Sequence, residues 1–364
     1  PAVIGGGFGP FAAFAALMFF ATLPKWLPQL CISDRITGLL WFCFLLSIAA
    51  ITLYFNLSSN ADHITSAAAQ SWQALIFSIG LFYIGFFLNS NSTTFHNALM
   101  LSAVALLLFL AFYTLSTGKI MFYARFYFDT KDGIATYQGF ARSAFFVYVI
   151  LMMMARTATT SFIWTVLGTY TLFVLGARSE FFAFFAVALI SLSLKLLRDP
   201  WMSIYILLTF LGLCLLGPVI FDSIQDSRQL EVLDLSSSTS WQARKSLLQQ
   251  SYSVLLNSPF SGEFGGHIRI AGHGGGYVHN ALSGWMNYGI LPFLGYVLTV
   301  SFAALMSGIR VFMSGANTSK WSLCFAINIS SLLLIAVSKP VFWPVPALGI
   351  GMYLALAATA KHRD

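Results

Sequence analysis

The chain has 364 residues, of which 58% are hydrophobic and only 9% are charged, with a net charge of +7. Soluble domains carry roughly 25% charged residues, so this composition excludes a water-soluble globular protein. About half of the basic residues follow the distribution expected of membrane loops, which removes the argument for nucleic acid as a partner.

Apolar stretches of about 20 residues, long enough to cross a bilayer, recur along nearly the whole chain. We predict an all-α polytopic membrane protein whose residues 1–364 form a single transmembrane domain of about eleven helices. Strands are disfavoured because the apolar runs are continuous rather than alternating. The predicted spans are 8–24, 37–56, 73–90, 97–116, 140–155, 159–177, 181–198, 202–221, 280–308, 321–338 and 341–360.

The basic residues of the short loops orient these spans, because positive charge marks the cytoplasmic side. One set of alternate loops contains Lys25, Arg35, Arg156, Lys195, Arg198, Arg310, Lys320, Lys361 and Arg363, whereas the short loops of the opposite set contribute only Arg178 and Lys339. We therefore expect the C-terminus in the cytoplasm and the two long loops, 117–139 and 223–279, outside. Because this parity places residue 1 outside, we also expect that a twelfth, N-terminal helix is missing from this chain.

The first long loop, 117–139, mixes cations with aromatic side chains. Aromatic faces stack on sugar rings and cations bind phosphates, which makes Tyr123 and Arg125 candidate substrate-binding residues. An interfacial belt of aromatic and snorkelling basic side chains explains the same composition, and the sequence leaves both interpretations open.

Arg178 occupies a tight turn on the side of the membrane where few cations are expected, two residues before Glu180. An ion pair with Glu180 would explain it, but ionisable residues near membrane depth are often functional. Arg142, at the outer end of the fifth span, is placed similarly, and we expect both arginines to face one cavity.

The second long loop, 223–279, is predicted to contain a helix that begins with Ser240 as its cap and ends at Asn257, Pro259 and Gly262. An apolar stripe of Trp241, Leu248, Tyr252 and Leu255 is expected to face the membrane. Arg244 lies three residues after Trp241, so its guanidinium is expected to point inward.

A glycine-rich strip, 261–276, follows this helix and includes His267, Arg269 and His273. Such a strip can present backbone N–H groups to phosphate oxygens, or it can be a flexible loop, and both remain open. It leads into His279 and Asn280 at the mouth of the next span. Asn280 suits a helix cap, and an imidazole with an ordinary pKa near 6.5 suits a general base.

No metal site or cofactor is expected. The four cysteines, Cys31, Cys43, Cys214 and Cys324, lie in or beside apolar spans and show neither a metal-ligand spacing nor a disulfide framework. The acidic residues of the loops show no ligand spacing either.

Three pieces of the chain together resemble a known family. They are Arg178 within Gly-Ala-Arg-Ser-Glu before an apolar helix, Arg244 in the helix that ends Asn-Ser-Pro-Phe-Ser-Gly, and His279-Asn280 before Asn-Tyr-Gly-Ile. In order, side of the membrane and spacing this set resembles the O-antigen polymerase and O-antigen ligase superfamily, a GT-C type group of bacterial envelope glycan assembly. The likeness spans about residues 100–310.

The resemblance implies a metal-independent, inverting glycosyltransferase of the bacterial inner membrane that acts on the periplasmic face in lipopolysaccharide biosynthesis. Its donor and acceptor would be undecaprenyl-pyrophosphate-linked oligosaccharides, surrounded by membrane lipids, and a chain-length regulator protein is a candidate partner. Arg178 and Arg244 would bind the donor pyrophosphate and His279 would activate the acceptor hydroxyl. Arg142, Arg125, Asn280, Arg269, His273 and Tyr123 are the candidate substrate-binding residues.

The resemblance covers two activities that differ in their acceptor. A polymerase extends a second lipid-linked glycan, whereas a ligase transfers the glycan to lipid A-core. Eight residues separate Asn280 from Gly289 where the ligases have nine, which favours the polymerase. A flippase or transporter is the alternative of another class, but internal repeats and charges near the midplane, which are typical of transporters, are not visible.

Overall fold

The computed structural model is helical throughout the residues that it describes, and none of these residues forms a strand. The described residues are 14–25, 28, 34–88, 93–118, 122, 137–196, 203–205, 207, 239–272, 278–313 and 318–361. The predicted all-α fold is confirmed.

The helices run in chain order as α1 (Arg35–Ser58), α2 (Asp62–Phe87), α3 (Thr93–Thr117), α4 (Tyr137–Met154), α5 (Ala158–Leu175), α6 (Arg178–Leu196), α7 (Thr239–Asn257), α8 (Gly266–Ala271), α9 (Leu282–Tyr288), α10 (Ile290–Met313), α11 (Thr318–Val337) and α12 (Val345–Lys361). A further helical stretch at residues 14–21 precedes α1.

Seven of the described helices, α1, α2, α3, α5, α6, α10 and most of α11, are long and apolar enough to cross a membrane. Two shorter apolar stretches, Gly139–Met154 and Val345–Ala360, coincide with the predicted spans 140–155 and 341–360. The chain is therefore a multi-pass membrane protein. Most of the predicted span 202–221 and part of the span 8–24 lie outside the described residues.

Helix α2 begins at Asp62, well before the predicted start at residue 73. Its first three turns contain Asp62, His63, Thr65 and Gln70, which hide this part of the helix from a search for apolar stretches. The consequence is that a polar segment of α2 lies beyond its apolar stretch, where it contacts the loop segments described below.

The predicted single span 280–308 is wrong, because two helices, α9 and α10, are separated there by Gly289. Gly289 has φ 84° and ψ 176°, a conformation that residues with a side chain rarely adopt. A Cβ at this position would also collide with the carbonyl oxygen of Phe260. Average hydropathy cannot register a break made by one glycine inside an apolar stretch.

The chain divides into two compact units. The first comprises residues 1–5 and 89–238, and the second comprises residues 6–88 and 239–364. In the second unit, α2 packs along α12 with Gly85 and Gly351 in the contact. A Cβ at either glycine would collide with a backbone carbonyl of the opposite helix, so these residues permit the close approach typical of membrane helices.

The short helices of the second unit gather at one end of its membrane helices. Phe264, just before α8, stacks on Phe55 near the end of α1 with 5.1 Å between ring centroids. The Tyr288 hydroxyl of α9 lies 2.7 Å from the Ser71 hydroxyl of α2. By the predicted orientation this end is extracytoplasmic, and it contains Arg244 and His279.

Candidate functional site

Helix α7 positions Arg244 on its packed side. Leu255 is buried and Leu248 is half-buried, whereas Trp241 and Tyr252 are 42% and 49% exposed. The predicted stripe is thus divided between the packed side and the exposed side of α7, and whether it faces the membrane stays a prediction. Arg244, which is half-buried, is one turn before Leu248 and so shares the packed face. Its predicted inward orientation agrees with this placement.

The C-terminal end of α7 agrees with the prediction, and its N-terminal end differs slightly. The helix ends at Asn257, as predicted from the residues that follow it. It begins at Thr239, so Ser240 lies in the first turn of the helix instead of preceding it as its cap.

A small apolar cluster fixes α7 against the segment that carries His279. Val254 and Leu255 of α7 are buried together with Val278 and with Met286 of α9. Val278 directly precedes His279, so the packed face of α7 lies against residues 278–281, here called the histidine turn. The positive charge of Arg244, on the same helix, acts on the His279 imidazole.

Hydrogen bonds join the histidine turn to residues 338–341, the segment after α11, here called the lysine turn. The Ser283 hydroxyl donates to the Asn280 carbonyl oxygen at 2.8 Å and accepts from the Val341 N–H at 2.8 Å. The Ala281 N–H donates to the Ile335 carbonyl oxygen at 2.7 Å. The two turns are thereby held in fixed register.

Asn280 is not the N-cap predicted from the sequence, because Ala281 holds that position, without a side-chain capping hydrogen bond, and Asn280 precedes it. The Asn280 side-chain oxygen accepts a hydrogen bond from the Leu282 N–H at 3.0 Å, at the first residue of α9. This bond fixes the backbone that directly follows His279. Whether Asn280 also binds substrate stays a prediction.

The electrostatic environment keeps His279 neutral. Burial, then the positive charge of Arg244, then that of Lys339 lower the pKa of the half-buried His279 imidazole to about 4. Each of these causes disfavours the protonated ring. At neutral pH the imidazole is therefore unprotonated and able to accept a proton, between two cations that can bind an anion.

Lys339 is a member of this cluster that the sequence interpretation did not select. Its residue is only 5% exposed, and it lies in the lysine turn directly after α11. The sequence did contain a signal for Lys339. Cations are expected mainly in cytoplasmic loops, yet Lys339 and Arg178 lie in short loops on the predicted outer side.

The described part of the glycine-rich strip, residues 261–272, contains a short helix and packs against α9. Gly262, Gly265 and Gly272 adopt positive φ angles of 64°, 76° and 75°, and the last two flank the short helix α8. A Cβ at Gly262 would lie 2.6 Å from the carbonyl oxygens of Trp285 and Met286 in α9. These glycines thus allow the strip to dock on α9. Gly274, Gly275 and Gly276 of the strip, together with His273, lie outside the described residues.

Arg269, a predicted substrate-binding residue, makes a two-point ion pair with Glu263. Its Nε and a terminal nitrogen both contact the Glu263 carboxylate, the second at 2.9 Å. The hydrogen bonds and the negative charge of Glu263 raise the pKa of Arg269 above its ordinary value. A substrate phosphate would have to compete with this carboxylate, and the predicted role of Arg269 stays a prediction.

His267 is a buried polar residue that links three helices. Its Nδ1 lies 2.7 Å from Asn287 Oδ1, and its Nε2 lies 2.9 Å from the Gln70 side-chain amide of α2. Asn287 Nδ2 donates to the Ser283 carbonyl oxygen at 2.8 Å, which orients the Asn287 amide and makes Nδ1–H the donor. Burial lowers the pKa of His267, which favours the neutral ring. With Nδ1–H as the donor, Nε2 can only accept, so the Gln70 side-chain oxygen placed 2.9 Å away must exchange places with its NH2 group for this hydrogen bond to form. This network ties α8, α9 and α2 together below the histidine turn.

The first unit contains the other predicted arginines. Gly176, with φ 73°, ends α5, and α6 begins at Arg178, which is half-buried. The Glu180 carboxylate is buried, lies 3.6 Å from Arg142 Nε and accepts a hydrogen bond from the Ser179 hydroxyl at 2.7 Å. Arg142 is thus adjacent to the first turn of α6, where Arg178 lies, and whether the two arginines face one cavity stays a prediction.

The first long loop is attached to the helices of the first unit at Phe122. This side chain is buried among the rings of Phe109, Tyr113 and Phe140, and its N–H donates to the Val174 carbonyl oxygen at 2.8 Å. Tyr123 and Arg125, the substrate-binding candidates of this loop, lie outside the described residues.

The chain matches no protein-family model and no curated protein. Among solved structures it is similar to a chain from work on the structural coordination of polymerization and crosslinking by a peptidoglycan synthase complex. The sequence identity is 14%, the TM-score is 0.46, and the alignment covers 89% of this chain and 98% of that chain.

Within the part of the chain that the structure describes, no group of three or more His, Cys, Asp or Glu side chains could hold a metal ion. The described polar groups around His279 are instead cations and hydrogen-bond donors, a composition that suits an anionic ligand.

Proposed function

We propose that this protein is a membrane glycosyltransferase that polymerises lipid-pyrophosphate-linked saccharide units, with His279 as the general base and Arg244 as a ligand of the donor pyrophosphate. The observation that carries the proposal is the neutral imidazole of His279 beside Arg244 at one end of the second unit. A base and an anion-binding cation are the two groups that transfer of a glycosyl group from a pyrophosphate requires.

The reaction follows from these two groups. His279 takes the proton of the acceptor hydroxyl, and the hydroxyl oxygen forms a bond to the anomeric carbon of the donor sugar. The bond between that carbon and the phosphate oxygen breaks, and its electron pair stays on the departing pyrophosphate. The Arg244 guanidinium stabilises the charge that develops there, and attack from the face opposite the leaving group inverts the anomeric carbon.

Donor binding would also strengthen the base. In the free protein the positive charges near His279 oppose its protonation, which makes the imidazole a weak proton acceptor. A bound pyrophosphate brings negative charge that offsets these cations, so the pKa of His279 rises towards its ordinary value of about 6.5. The base therefore gains strength when the donor is in place.

The proposed donor and acceptor are undecaprenyl-pyrophosphate-linked oligosaccharides of the O-antigen type, used on the periplasmic face of a bacterial inner membrane. The residues that resemble the O-antigen polymerase and ligase superfamily support this substrate class. Arg178 is proposed to assist donor binding, and the mechanism is proposed to need no metal ion.

A ligase is the second candidate, because the same donor chemistry serves a lipid A-core acceptor. The eight-residue spacing from Asn280 to Gly289 favours the polymerase. Gly289 adopts its positive φ against Phe260, and the Asn280 side chain accepts a hydrogen bond from the Leu282 N–H at the start of α9. The length of α9 is thus set by the distance between these two residues.

One reconstituted reaction tests the proposal. Purified full-length protein in lipid is incubated with undecaprenyl-pyrophosphate oligosaccharide, with and without lipid A-core, and the products are separated by size. Ladders of extended lipid-linked glycan support the polymerase, whereas products that appear only with lipid A-core indicate the ligase. Unaltered substrates in both tubes would contradict a glycosyltransferase, and loss of activity with EDTA would contradict metal independence.

A further inference from the structure

The lysine turn lies against the histidine turn, and this contact brings a second cation to the proposed reaction centre. We propose that Lys339 binds the pyrophosphate of the lipid-linked donor together with Arg244. This inference rests on the proposed function and names a donor-binding residue that the resemblance to the O-antigen enzymes did not supply.

The backbone fixes Lys339 near His279. The Lys339 N–H donates to the Leu334 carbonyl oxygen at 2.8 Å, which holds the lysine turn on the last turn of α11. The Ser283 hydroxyl then bridges the Val341 N–H and the Asn280 carbonyl oxygen, each at 2.8 Å. The Ser283 residue is fully buried, so water does not compete for these bonds.

Charge and burial give this placement an electrostatic consequence. Lys339 and Arg244 come from separate elements, yet the charge of each acts on the His279 imidazole. Helix α7 and the lysine turn both pack against the histidine turn, so an anion beside the His279 imidazole interacts with the charges of both cations. Burying a lysine to 5% exposure costs free energy, and the charge of an incoming pyrophosphate offsets part of that cost.

The chemistry of the two side chains suits two phosphate groups. A guanidinium is a planar fork that binds two oxygens of one phosphate, whereas an ammonium is a compact point charge with three donors. A pyrophosphate presents two linked phosphates with negative charge on both. Arg244 and Lys339 can therefore neutralise the leaving group more completely than either cation alone.

A purely structural role offers a competing explanation. Lys339 follows the C-terminus of α11, where a cation interacts favourably with the helix dipole. A lysine that only caps α11 would contribute to the stability of the fold and not to anion binding. The two roles differ in their response to added pyrophosphate.

The test uses inorganic pyrophosphate as the probe and the full-length protein in lipid nanodiscs. Histidine labelled with 13C at Cε1 reports each imidazole by NMR, and the His279 signal is assigned by its loss in His279→Gln. Pyrophosphate is titrated into the wild-type protein and into Lys339→Met, Lys339→Arg and Lys320→Met. Lys320 is an exposed lysine in the first turn of α11 and serves as the matched control for removal of one charge from the same helix.

We expect the Lys339→Met variant to bind pyrophosphate about tenfold or more weakly than the wild type, because it loses a hydrogen bond between charged groups. Lys339→Arg keeps the charge and is expected to bind within a few-fold of the wild type, and Lys320→Met is expected to match it. If Lys339→Met fails to fold, Lys339→Gln replaces it, and the comparison with Lys339→Arg remains.

Two results would overturn the inference. One is wild-type affinity in Lys339→Met, which leaves only the helix-capping role. The other is the absence of a pyrophosphate response at His279 in the wild-type protein. Because the readout is binding, its failure is distinct from failure of the proposed function, which is judged by glycan products in the reconstituted reaction.

Discussion

Replacing Arg244 by Gln should move the pH dependence of the reaction, and the structure fixes the direction. Three causes lower the pKa of His279 to about 4, and burial is the largest of them. The charge of Arg244 comes second and has a larger effect than the charge of Lys339. Removing this charge relieves part of the penalty on the imidazolium form, so the pKa rises. Burial and Lys339 remain, so we expect a rise of about 1, from about 4 to about 5, and not a return to 6.5.

The assay is the rate of glycan transfer by the reconstituted protein between pH 4 and pH 8. Only the neutral imidazole can act as the base, so kcat/KM falls on the acid side of the His279 pKa in the free protein. The acid limb of the wild type is expected near pH 4, and that of Arg244→Gln about 1 pH unit higher. The variant should also lose about 100-fold to 1,000-fold in rate, because a donor to the developing charge is absent.

The matched control is Lys245→Gln, which removes the neighbouring exposed cation of the same helix. Its pH profile and rate should match those of the wild type. A wild-type acid limb near pH 6.5, or an acid limb that does not move in Arg244→Gln, would refute the electrostatic reasoning. A second check is internal to the wild type, because donor binding offsets the cations. The acid limb of kcat, which reports the donor complex, should lie at higher pH than that of kcat/KM.

His279→Ala should abolish glycan extension while the protein remains in the membrane, as judged by glycan ladders and immunoblots of membrane fractions, and near wild-type ladders would rule out this base. Arg178→Lys should be impaired, because a two-point phosphate contact needs the planar guanidinium, and full transfer activity would point to a simple charge role. Gly289→Ala should lower stability by at least about 1–3 kcal/mol, since a side chain is strained at φ 84° and the added Cβ meets Phe260. Thermal unfolding in detergent measures this loss, with Gly139→Ala as the control because a Cβ there meets no neighbour, and equal melting temperatures would contradict the assignment.

The sequence predicted those helices that consist of one continuous apolar stretch. Helices α1, α3 and α5 occur where continuous apolar stretches placed them, because a bilayer leaves such stretches few alternatives to a helix. The polar start of α2 and the break at Gly289 escaped prediction for one reason. Each depends on contacts with distant segments, Gln70 with His267 and Gly289 with Phe260, which average hydropathy does not contain.

The candidate site shows the same division. Arg244 was placed on the packed face of α7 from the spacing of its neighbours. Asn280 was chosen as a cap from its residue type, but it precedes the N-cap Ala281 and accepts a hydrogen bond from the Leu282 N–H. Trp241 and Tyr252 lie outside the packed face, because the helix packs through Ser251, Val254 and Leu255 on α9 and the histidine turn. A heptad count cannot tell which side of a short helix will meet such a partner.

Lys339 lies 60 residues after His279 in the chain, and only the folded protein brings the two turns together. The expected distribution of basic residues in membrane loops marked Lys339 as an exception, but it did not indicate that Lys339 lies near His279. His267 escaped selection for a related reason, because its partners Gln70 and Asn287 come from helices on both sides of it in the sequence.

The packing of α2 on α12 has a consequence for how the protein is made. More than 250 residues separate Phe87 from Val345, so α2 is synthesised long before the helix that covers it. At about 5–20 residues per second this interval is roughly 13–50 s, during which the glycine face of α2 has only lipid or a chaperone against it. The lysine turn is made just before α12, so the cations beside His279 assemble more than 80 residues after Arg244 of α7 has been synthesised. Membrane insertases that shelter single helices should therefore affect the yield of active protein more than the yield of inserted chain.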